Sequence, residues 1–450
     1  MAENTREIVL DTLLTLERGE EFSHKLIKAV LDKYDYLDGR EKAFIKRVTE
    51  GTIERQIELD YYLNHFSSVP VRKMKPLIRC LLRMSTYQLL FMDAIPDSAV
   101  CNEACKLAAK RKFHNLKGFV NGILRNIAKN KESLPMPDES KDVAEYFSVK
   151  YSMPKWLVEY WMGCYGEETT GTLLAGLLQI HPVSLRFRTD ISEEKKENLL
   201  VKMEAAGVQA VQSEYLPYVY HVEGVESVSN LPGFAEGAFT VQDVSSALAV
   251  EAADIQPGDF VMDICAAPGG KSILAAEKAG TVAEAVDGAT QTGNACAKGC
   301  VLSRDVSEAK VSIIEESIER MQASNITVEV HDATVFDETY KEKADVVIMD
   351  VPCSGLGVMG KKRDIKYHVT PESLTSIVAL QRQIVTNSWQ YIKPGGTLLY
   401  STCTINPTEN EQMVQWITAN LPFELECSKQ LLPGVMKCDG FFYAKLRRVD

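Results

Sequence analysis

The chain has 450 residues, of which 45% are hydrophobic and 25% are charged, and its formal net charge is −12. This length exceeds what a single hydrophobic core supports, so we expect two or three domains of ordinary soluble composition. No apolar run approaches the roughly 18 to 20 residues of a membrane span, and the odd count of 11 cysteines argues against a disulfide framework, which predicts a cytoplasmic protein with reduced thiols.

The net charge is unevenly distributed along the chain. Residues 1–150 carry a net charge of +3, whereas the remaining 300 residues carry −15. Within the first part, residues 68–132 hold 13 Lys and Arg against 4 Asp and Glu. A basic stretch of this kind is typical of a polyanion-binding surface, although a solvated helical face has the same composition.

Residues 1–131 are predicted to form an all-α domain. Apolar residues recur at spacings of three and four from residue 8 to about residue 127, and prolines at 70, 76 and 96 separate six or seven helices. The segment 70–129, above all the sequence VNGILR at 120–125, resembles the NusB-like RNA-binding domain. The resemblance implies phosphate contacts, and the basic candidates are Arg72, Lys73, Lys110, Arg111, Lys112 and Lys117.

A short linker and a small module follow this domain. Residues 131–141 combine two prolines with charge and no periodicity, which is typical of a linker. Residues 142–236 are predicted to form a small α+β module, helical to about residue 180, with a strand that begins at 182–187. Arg186 and Arg188 share one face of that strand, and they are either RNA contacts or a plain surface pair.

Strands and helices alternate from residue 237 to residue 450, which predicts a parallel sheet with helices on both faces. The predicted strands are 260–265, 327–331, 344–350 and 397–401, with an edge strand of a terminal hairpin at 441–446. The predicted helices are 246–253, 306–323, 371–392 and 407–420.

The stretch 260–272, FVMDICAAPGGKS, is predicted to be a buried strand that runs into a Gly-Gly turn and a helix. Such a junction is a ligand cradle, because glycine lets a ligand approach the backbone and the first helical N–H groups point outward. A Walker loop needs a glycine where Cys265 stands, and no G-x-G-x-x-G fits the turn. Neither phosphate-binding motif is therefore present.

An acidic residue is expected after the second strand of such a fold, roughly 20 residues beyond the glycine turn. Asp287 lies 17 residues after Gly270, and Asp305 lies 35 residues after it. Residues 283–300 are rich in Ala and Gly and have the composition of an inserted segment, whose removal brings Asp305 to the expected distance. We favour Asp305, because a long amphipathic helix follows it.

Three motifs at predicted strand ends resemble those of RNA (cytosine-5) methyltransferases. They are Asp263-Ile264-Cys265-Ala266-Ala267-Pro268-Gly269-Gly270-Lys271, Asp350-Val351-Pro352-Cys353-Ser354 with Gly357 beyond it, and Ser401-Thr402-Cys403 with Asn406-Pro407 and Glu409-Asn410. With the NusB-like region in front, nearly the whole chain resembles the Sun/RsmB family, which modifies small-subunit ribosomal RNA. The resemblance implies a Rossmann-like class I methyltransferase domain at 237–450, and the inserted segment is a departure from the family pattern.

The resemblance also implies the chemistry of the site. Carbon 5 of cytosine is a poor nucleophile until a thiolate adds to carbon 6, so the reaction needs an attacking cysteine. That role is carried over to Cys403, adduct resolution to Cys353, and protonation of ring nitrogen 3 to Asp350. In this role Asp350 must be protonated at least transiently.

The methyl donor implied by the resemblance is S-adenosylmethionine. Its methionine end is assigned to the loop 265–271, its ribose to Asp305 and its adenine to Asp332. The complete set of implied cofactor residues is Cys265, Ala266, Ala267, Pro268, Gly269, Gly270, Lys271, Asp305, Asp332 and Asp350.

A basic loop follows Cys353 in an otherwise acidic domain. Its residues Lys361, Lys362 and Arg363 are expected to contact RNA phosphates beside the active site. A target cytosine inside a helix has to be unstacked to reach a thiol, so a structured RNA with an accessible base is the expected substrate.

The expected partner is small-subunit ribosomal RNA, bound by a monomeric enzyme. Two alternatives remain open, the same chemistry on transfer RNA and a non-catalytic RNA-binding assembly factor. No membrane partner and no metal are expected, since Cys296 and Cys300 have no nearby histidine or second cysteine pair.

Overall fold

The computed structural model describes residues 4–19, 21–179, 182–225, 227–280 and 299–450. The chain forms two compact units. The helical unit comprises residues 1–178 and 359–368, and the sheet unit comprises residues 179–358 and 369–450. The alternative acid Asp287 and most of the predicted insertion lie outside the described residues.

The described part of the helical unit has ten helices between residues 5 and 177, and the first seven of them pack around one apolar core. Helix α5 begins with Pro76 at its first position, where the missing N–H costs nothing, and Asp38 and Glu41 form a capping box at the start of α3. Among the described residues, no helix is both long and apolar enough to cross a bilayer. The helices are α1 (Thr5–Leu16), α2 (Ser23–Lys33), α3 (Gly39–Glu54), α4 (Gln56–Phe66), α5 (Pro76–Phe91), α6 (Asp97–Lys110), α7 (Lys117–Lys129), α8 (Val143–Lys150), α9 (Lys155–Tyr165) and α10 (Glu167–Leu177).

The middle of the chain is divided differently from the prediction. Helices α8 to α10 group with the helical unit, whereas the sequence assigned residues 142–236 to one small module. The sequence pattern shows that each of these helices has an apolar face. It does not show which part of the chain covers that face, so it does not assign the helices to a unit.

The second half of the chain alternates strands and helices as predicted. Its elements in chain order are β1 (Val183–Phe187), α11 (Glu193–Ala205), β2 (Gln209–Gln212), β3 (Val219–Glu223), β4 (Phe239–Val241), α12 (Val244–Ala252), β5 (Val261–Asp263), α13 (Gly270–Ala279), β6 (Val301–Asp305), α14 (Glu308–Met321), β7 (Ile326–Val330), β8 (Ala344–Asp350), α15 (Ile365–His368, in the helical unit), α16 (Pro371–Ser388), β9 (Ile392–Thr402), α17 (Glu411–Asn420), β10 (Phe423–Leu431) and β11 (Phe441–Arg448).

A seven-stranded sheet organises the sheet unit, in the order β10-β11-β9-β8-β5-β6-β7. The five strands from β9 to β7 are parallel, and β11 and β10 add antiparallel at one end. Separate apolar clusters cover the two faces, which confirms the predicted α/β class. The prediction of an edge strand at 441–446 is wrong, because β10 pairs outside β11 and is itself the edge.

A four-stranded antiparallel sheet of order β2-β3-β1-β4 forms the smaller part of the sheet unit. Arg186, on β1, is fully buried, with 0% of its surface exposed. Its guanidinium donates to both oxygens of Glu277 at 2.9 and 2.8 Å and to Gln242 Oε1 at 2.7 Å. The prediction that Arg186 contacts RNA is therefore wrong, because this arginine is buried and forms an ion pair with Glu277.

Residues 359–368 lie in the sequence between two segments of the sheet unit, but they belong to the helical unit. Buried Lys366 donates through Nζ to the carbonyls of Glu54 at 2.7 Å and Ser152 at 2.6 Å. Arg363 pairs with Glu54 and lies 3.7 Å from Glu50. The charge of Arg363 is therefore partly neutralised within the helical unit, and its contact with RNA phosphates stays a prediction.

The buried Lys366 predicts a pH dependence of stability. Burial lowers the pKa of Lys366 to about 7, whereas an exposed lysine has a pKa of about 10.4. Between these values the unfolded chain binds one more proton than the folded chain, so the free energy of unfolding rises with pH across that window. We expect Lys366→Met to remove this increase, measured by calorimetric unfolding at a series of pH values from 7 upward.

The matched control is Lys362→Met, since Lys362 is exposed and four residues away. This variant should keep the wild-type pH dependence. An unchanged slope in Lys366→Met would contradict the assignment.

Candidate active site

The site lies where the carboxyl ends of the parallel strands meet at one edge of the seven-stranded sheet. Strands β5, β6 and β8 end at Asp263, Asp305 and Asp350, and Cys403 directly follows β9. Ligands of doubly wound folds bind at this edge, because the loops that leave the strands converge there. The sequence motifs thus fall on the edge at which chemistry is expected.

A cradle follows β5. Gly269 adopts a φ of +99°, which favours glycine strongly, and it precedes the first residue of α13. The first N–H groups of a helix have no partner within it and are available to a ligand. Below the turn, Ser272 Oγ donates to Asp263 Oδ2 at 2.7 Å, and burial raises the pKa of Asp263 to about 7.

Asp305 lies directly against the cradle. Its Oδ2 accepts from the Ala267 N–H at 3.0 Å, and its Oδ1 accepts from Lys310 Nζ at 2.9 Å. The side chain is 4% exposed, so the carboxylate is held rigidly beside the turn. The choice of Asp305 as the ribose-binding acid, made from the spacing, stays a prediction.

Asp332, two residues beyond β7, is exposed at the same edge. Its Oδ1 accepts from the backbone N–H of Thr334 at 2.8 Å and from the Thr334 hydroxyl at 2.7 Å. These hydrogen bonds lower the pKa of Asp332, so the carboxylate is ionised.

Two side chains fix Asp350, and the sequence analysis predicted neither contact. Lys271 Nζ donates to Asp350 Oδ2 at 2.6 Å, and Ser401 Oγ donates to Oδ1 at 2.8 Å. Burial lowers the pKa of Lys271, but the Asp350 carboxylate outweighs burial and raises it above the ordinary value. The contact between Lys271 and Asp350 joins the glycine turn to the end of β8. The sequence shows Lys271 and Ser401 only as members of two separate motifs.

The two candidate catalytic thiols lie together. Cys353 Sγ and Cys403 Sγ are 3.2 Å apart, a hydrogen-bond distance and not a covalent one. The hydrogen bond with Cys403, burial, and the charges of Cys403 and Glu409 raise the pKa of Cys353 well above its ordinary value. Cys353 therefore holds its proton, and either thiol can be the donor of the hydrogen bond between them.

Cys265, in the turn after β5, shares a raised pKa with Cys353. Burial raises the pKa of Cys265 far above its ordinary value, with a further contribution from the charges of Asp263 and Asp305. A thiol in this state is a poor nucleophile, because the thiolate is the reactive form. Cys265 is therefore a poor candidate for the attacking thiol.

Gly357 holds the loop after Cys353 against the end of β9. Its N–H donates to the Cys403 carbonyl at 3.1 Å, and its own carbonyl accepts from the Gly440 N–H at 2.9 Å. A Cβ at Gly357 would lie 1.8 Å from the Gly440 oxygen and 2.9 Å from the Cys403 oxygen. Only glycine permits this approach of three backbone segments.

The basic candidates in the helical unit differ in their surroundings. Arg72, Lys73 and Lys112 are exposed, whereas Arg111 pairs with Glu7 and Asp11. Lys110 also pairs with Glu7. The charge offered to a polyanion by the last two is therefore partly neutralised.

Metal ligation has no support within the described ranges. No group of three or more His, Cys, Asp or Glu side chains there could hold a metal ion. Cys296, one of the two cysteines considered from the sequence, lies outside those ranges.

Two family models match this chain. One, described as 16S rRNA methyltransferase RsmB/F, matches residues 250–447, and the NusB family model matches residues 3–129. The chain is 31% identical over 465 aligned residues to the probable ribosomal RNA small subunit methyltransferase B of Bacillus subtilis, with 99% of each chain covered. The ribosomal RNA small subunit methyltransferase B of Proteus mirabilis is 28% identical, with 92% of each chain covered.

Solved structures share the fold. The crystal structure of PH0851 matches with a TM-score of 0.77 at 24% identity over 99% of both chains. The structure of NSun6 from Pyrococcus horikoshii with SFG matches with a TM-score of 0.55 at 22% identity and covers 66% of this chain and 98% of its own. These likenesses extend the fold assignment beyond the sequence relatives.

The contact at Gly357 leads to a stability prediction. Gly357→Ala should destabilise the sheet unit by about 1 to 3 kcal/mol, because the added Cβ overlaps the Gly440 backbone. The change is measured as a lower thermal unfolding midpoint. Gly163→Ala is the control, since Gly163 is exposed in α9 with nothing within 4 Å of the added Cβ, and it should leave the midpoint unchanged or raise it. Equal midpoints for Gly357→Ala and wild type would contradict the prediction.

Proposed function

We propose, from the premise that this chain belongs to the RsmB/F family of ribosomal RNA small subunit methyltransferases, that it methylates carbon 5 of a cytosine in 16S ribosomal RNA. The enzyme is an S-adenosylmethionine-dependent RNA methyltransferase. The observation that carries the finer proposal is the pair of thiols 3.2 Å apart at the ends of neighbouring strands. A methyltransferase acting on a nitrogen or oxygen atom has no need of such a pair.

The residues of the cradle fit the methyl donor. Gly269 provides the positive φ with which the turn enters α13, and Oδ1 of the buried Asp263 has no hydrogen-bond partner among the described residues. This acceptor set suits a ligand with amino and hydroxyl donors. When bound, S-adenosylmethionine supplies an electrophilic methyl group. In our proposal the loop 265–271 holds its methionine end, Asp305 its ribose and Asp332 its adenine.

Cys403 begins the proposed reaction as the nucleophile. Asp350 is first protonated, and the Cys403 thiol gives up its proton to solvent. The Cys403 thiolate then bonds to carbon 6 of the cytosine, the carbon 5–carbon 6 double bond shifts to carbon 4–carbon 5, and the electrons of the carbon 4–nitrogen 3 double bond take the proton of Asp350 at nitrogen 3. Carbon 5 is then electron-rich and takes the methyl group, whose former bonding pair stays on the sulfur of the methyl donor. Lys271 and Ser401 keep the Asp350 carboxyl in place through both stages.

Cys353 acts when the adduct is resolved. The proton on carbon 5 is lost to solvent, the double bond re-forms, and the bond between carbon 6 and Cys403 breaks with its electron pair on sulfur. Nitrogen 3 returns its proton to Asp350. Cys353, which keeps its own proton, donates a hydrogen bond to the departing Cys403 thiolate and lowers the cost of its release.

Basic surface residues complete the proposal. The exposed Arg72, Lys73 and Lys112 are proposed to contact RNA phosphates, as are the exposed Lys361 and Lys362. Such contacts give affinity without sequence choice, so they orient the RNA and do not select the base. The reacting cytosine has to leave its stack to reach Cys403.

The proposal is tested with labelled S-adenosylmethionine and two substrates, small-subunit ribosomal RNA and transfer RNA. Label on carbon 5 of a cytosine in the ribosomal RNA is the expected result. Label on transfer RNA alone would replace the substrate, and no label in any RNA would overturn the proposed reaction.

The division of labour between the thiols gives a prediction of its own. Cys403→Ala should abolish methyl transfer and form no covalent complex, because no thiolate remains to attack carbon 6. Cys353→Ala should form the complex and release it slowly, so that it accumulates on denaturing gels. A complex that accumulates with Cys403→Ala would show that the two roles are reversed.

A further prediction separates the two acids considered for the ribose. Asp305→Ala should weaken binding of S-adenosylmethionine by about tenfold or more, since hydrogen bonds to a charged group are lost beside the cradle. Asp287→Ala is the control and should leave the affinity unchanged. Calorimetric titration measures both, and a larger effect of Asp287→Ala would reverse the assignment.

A further inference from the structure

The motif Asn406-Pro407-Thr408-Glu409-Asn410 contains a carboxylate that the proposed reaction does not use. The Glu409 side chain is fully buried, with 0% of its surface exposed. A buried carboxylate is costly unless it is paired or fully hydrogen-bonded, so its surroundings indicate what it does.

Four hydrogen-bond donors surround this carboxylate. Glu409 Oε2 accepts from the Ser354 backbone N–H and from Gln381 Nε2, both at 2.9 Å. Glu409 Oε1 accepts from Asn406 Nδ2 at 2.8 Å and from the Ser354 hydroxyl. Among these contacts no cation takes part, so the negative charge is balanced by neutral donors alone.

These donors flank both thiols. Ser354 follows Cys353, and the same amide of Gln381 that reaches Glu409 also donates to the Pro352 carbonyl at 2.9 Å. The Ser354 hydroxyl lies 2.7 Å from the hydroxyl of Thr404, which follows Cys403. The residues on both sides of Cys353 and the residue after Cys403 are thus tied to one carboxylate.

Tyr400 fixes the Glu409 backbone from the strand side. Its hydroxyl donates to the Glu409 backbone carbonyl at 2.7 Å and lies 3.3 Å from Gln381 Oε1. The orientation of the Gln381 amide is set by its nitrogen, which donates to two acceptors, the Pro352 carbonyl and the Glu409 carboxylate. The network therefore has one arrangement of donors and acceptors.

We propose that Glu409 is a positioning residue that holds the Cys353 loop on the end of β9, so that Cys353 Sγ stays within hydrogen-bond distance of Cys403 Sγ while the adduct is resolved. The inference rests on the proposed cysteine chemistry and extends it to a group that touches neither RNA nor cofactor. Its effect passes through Ser354 and Pro352, the two neighbours of Cys353 in the chain.

The charge of Glu409 acts in the same direction as the geometry. The pKa of Cys353 is raised most by its hydrogen bond with Cys403, by burial and by the charge of Cys403. The charge of Glu409 raises it further. Glu409 thereby helps Cys353 to keep the proton with which it stabilises the departing thiolate. Position and protonation of Cys353 depend on the same carboxylate.

Glutamine has the right shape but cannot replace Glu409. An amide nitrogen at the position of Oε2 would face the donors of Ser354 and Gln381, and at the position of Oε1 it would face the donor of Asn406. Each orientation sets a donor against a donor. Glu409→Gln should therefore release the Cys353 loop while filling the same volume.

The experiment compares Glu409→Gln with wild type and with Cys353→Ala, each incubated with S-adenosylmethionine and small-subunit ribosomal RNA. We expect turnover to fall by about tenfold or more and the covalent complex to accumulate, as in Cys353→Ala. Affinity for S-adenosylmethionine should stay within about twofold of wild type, because the cradle is untouched. Adduct release should also slow at high pH, where Cys353 loses its proton. In Glu409→Gln this slowing should begin at a lower pH than in wild type, because the charge of Glu409 no longer raises the pKa of Cys353.

Two further variants keep the result interpretable. Glu424→Gln removes an exposed carboxylate on β10 and should behave as wild type. Ser354→Ala removes one hydroxyl from the network without adding a donor, and it should show an intermediate accumulation of the complex. If Glu409→Gln fails to fold, the Ser354→Ala result decides the question.

The failure of this inference is distinguishable from the failure of the proposed reaction. Accumulation in Cys353→Ala, with neither Glu409→Gln nor Ser354→Ala accumulating the complex, would overturn the role of Glu409 and leave the reaction standing. An equal loss of turnover without accumulated complex would also overturn it, since that is the signature of general structural damage. No complex in any variant and no label in wild-type RNA would remove the cysteine chemistry itself.

Discussion

The register of β8 against β9 is the constraint on which the active site depends. The two parallel strands pair Asp350 with Ser401, and the Val351 N–H continues the ladder to the Ser401 carbonyl at 3.1 Å. The chain segments that leave the sheet therefore start side by side, which brings Cys353 and Cys403 together. A slip of one residue would turn Ser401 to the other face and separate it from Asp350.

Polar groups are buried at this edge of the sheet because several loops converge on it. Glu409 is stabilised there by neutral donors, whereas in the smaller sheet Arg186 is stabilised by an opposite charge on Glu277. The two solutions have different consequences. An ion pair joins two points of the structure, but a carboxylate with several neutral donors can hold whole loops, and it leaves a negative charge close to the thiols.

Much of the fold could be predicted because its signals are local. The glycine turn after β5, the acids at the strand ends and the strand at 344–350 are each visible within a dozen residues. Asp305 required one long-range argument, the inserted segment, and the structure places its carboxylate on the Ala267 N–H. Local turn chemistry and strand-end polarity are properties of the sequence itself.

What the sequence did not reveal depends on partners distant in the chain. Arg186 looks like a surface arginine until β1 is packed beside Glu277, 91 residues later. The order of β10 and β11 in the sheet depends on which of the two strands pairs with β9. Both segments have strand-like patterns, so the sequence does not decide between them. Gln381 lies on an ordinary amphipathic helix, and nothing in its neighbourhood marks it as a partner of Glu409.

The most direct test of the account identifies the sulfur that carries the RNA. In RNA that contains 5-fluorocytosine at the target position, carbon 5 has no proton to lose after methyl transfer, so the covalent complex cannot be resolved. Protease digestion and mass spectrometry of the trapped wild-type complex then locate the modified residue. The account predicts the nucleotide on Cys403, and a nucleotide on Cys353 would contradict it.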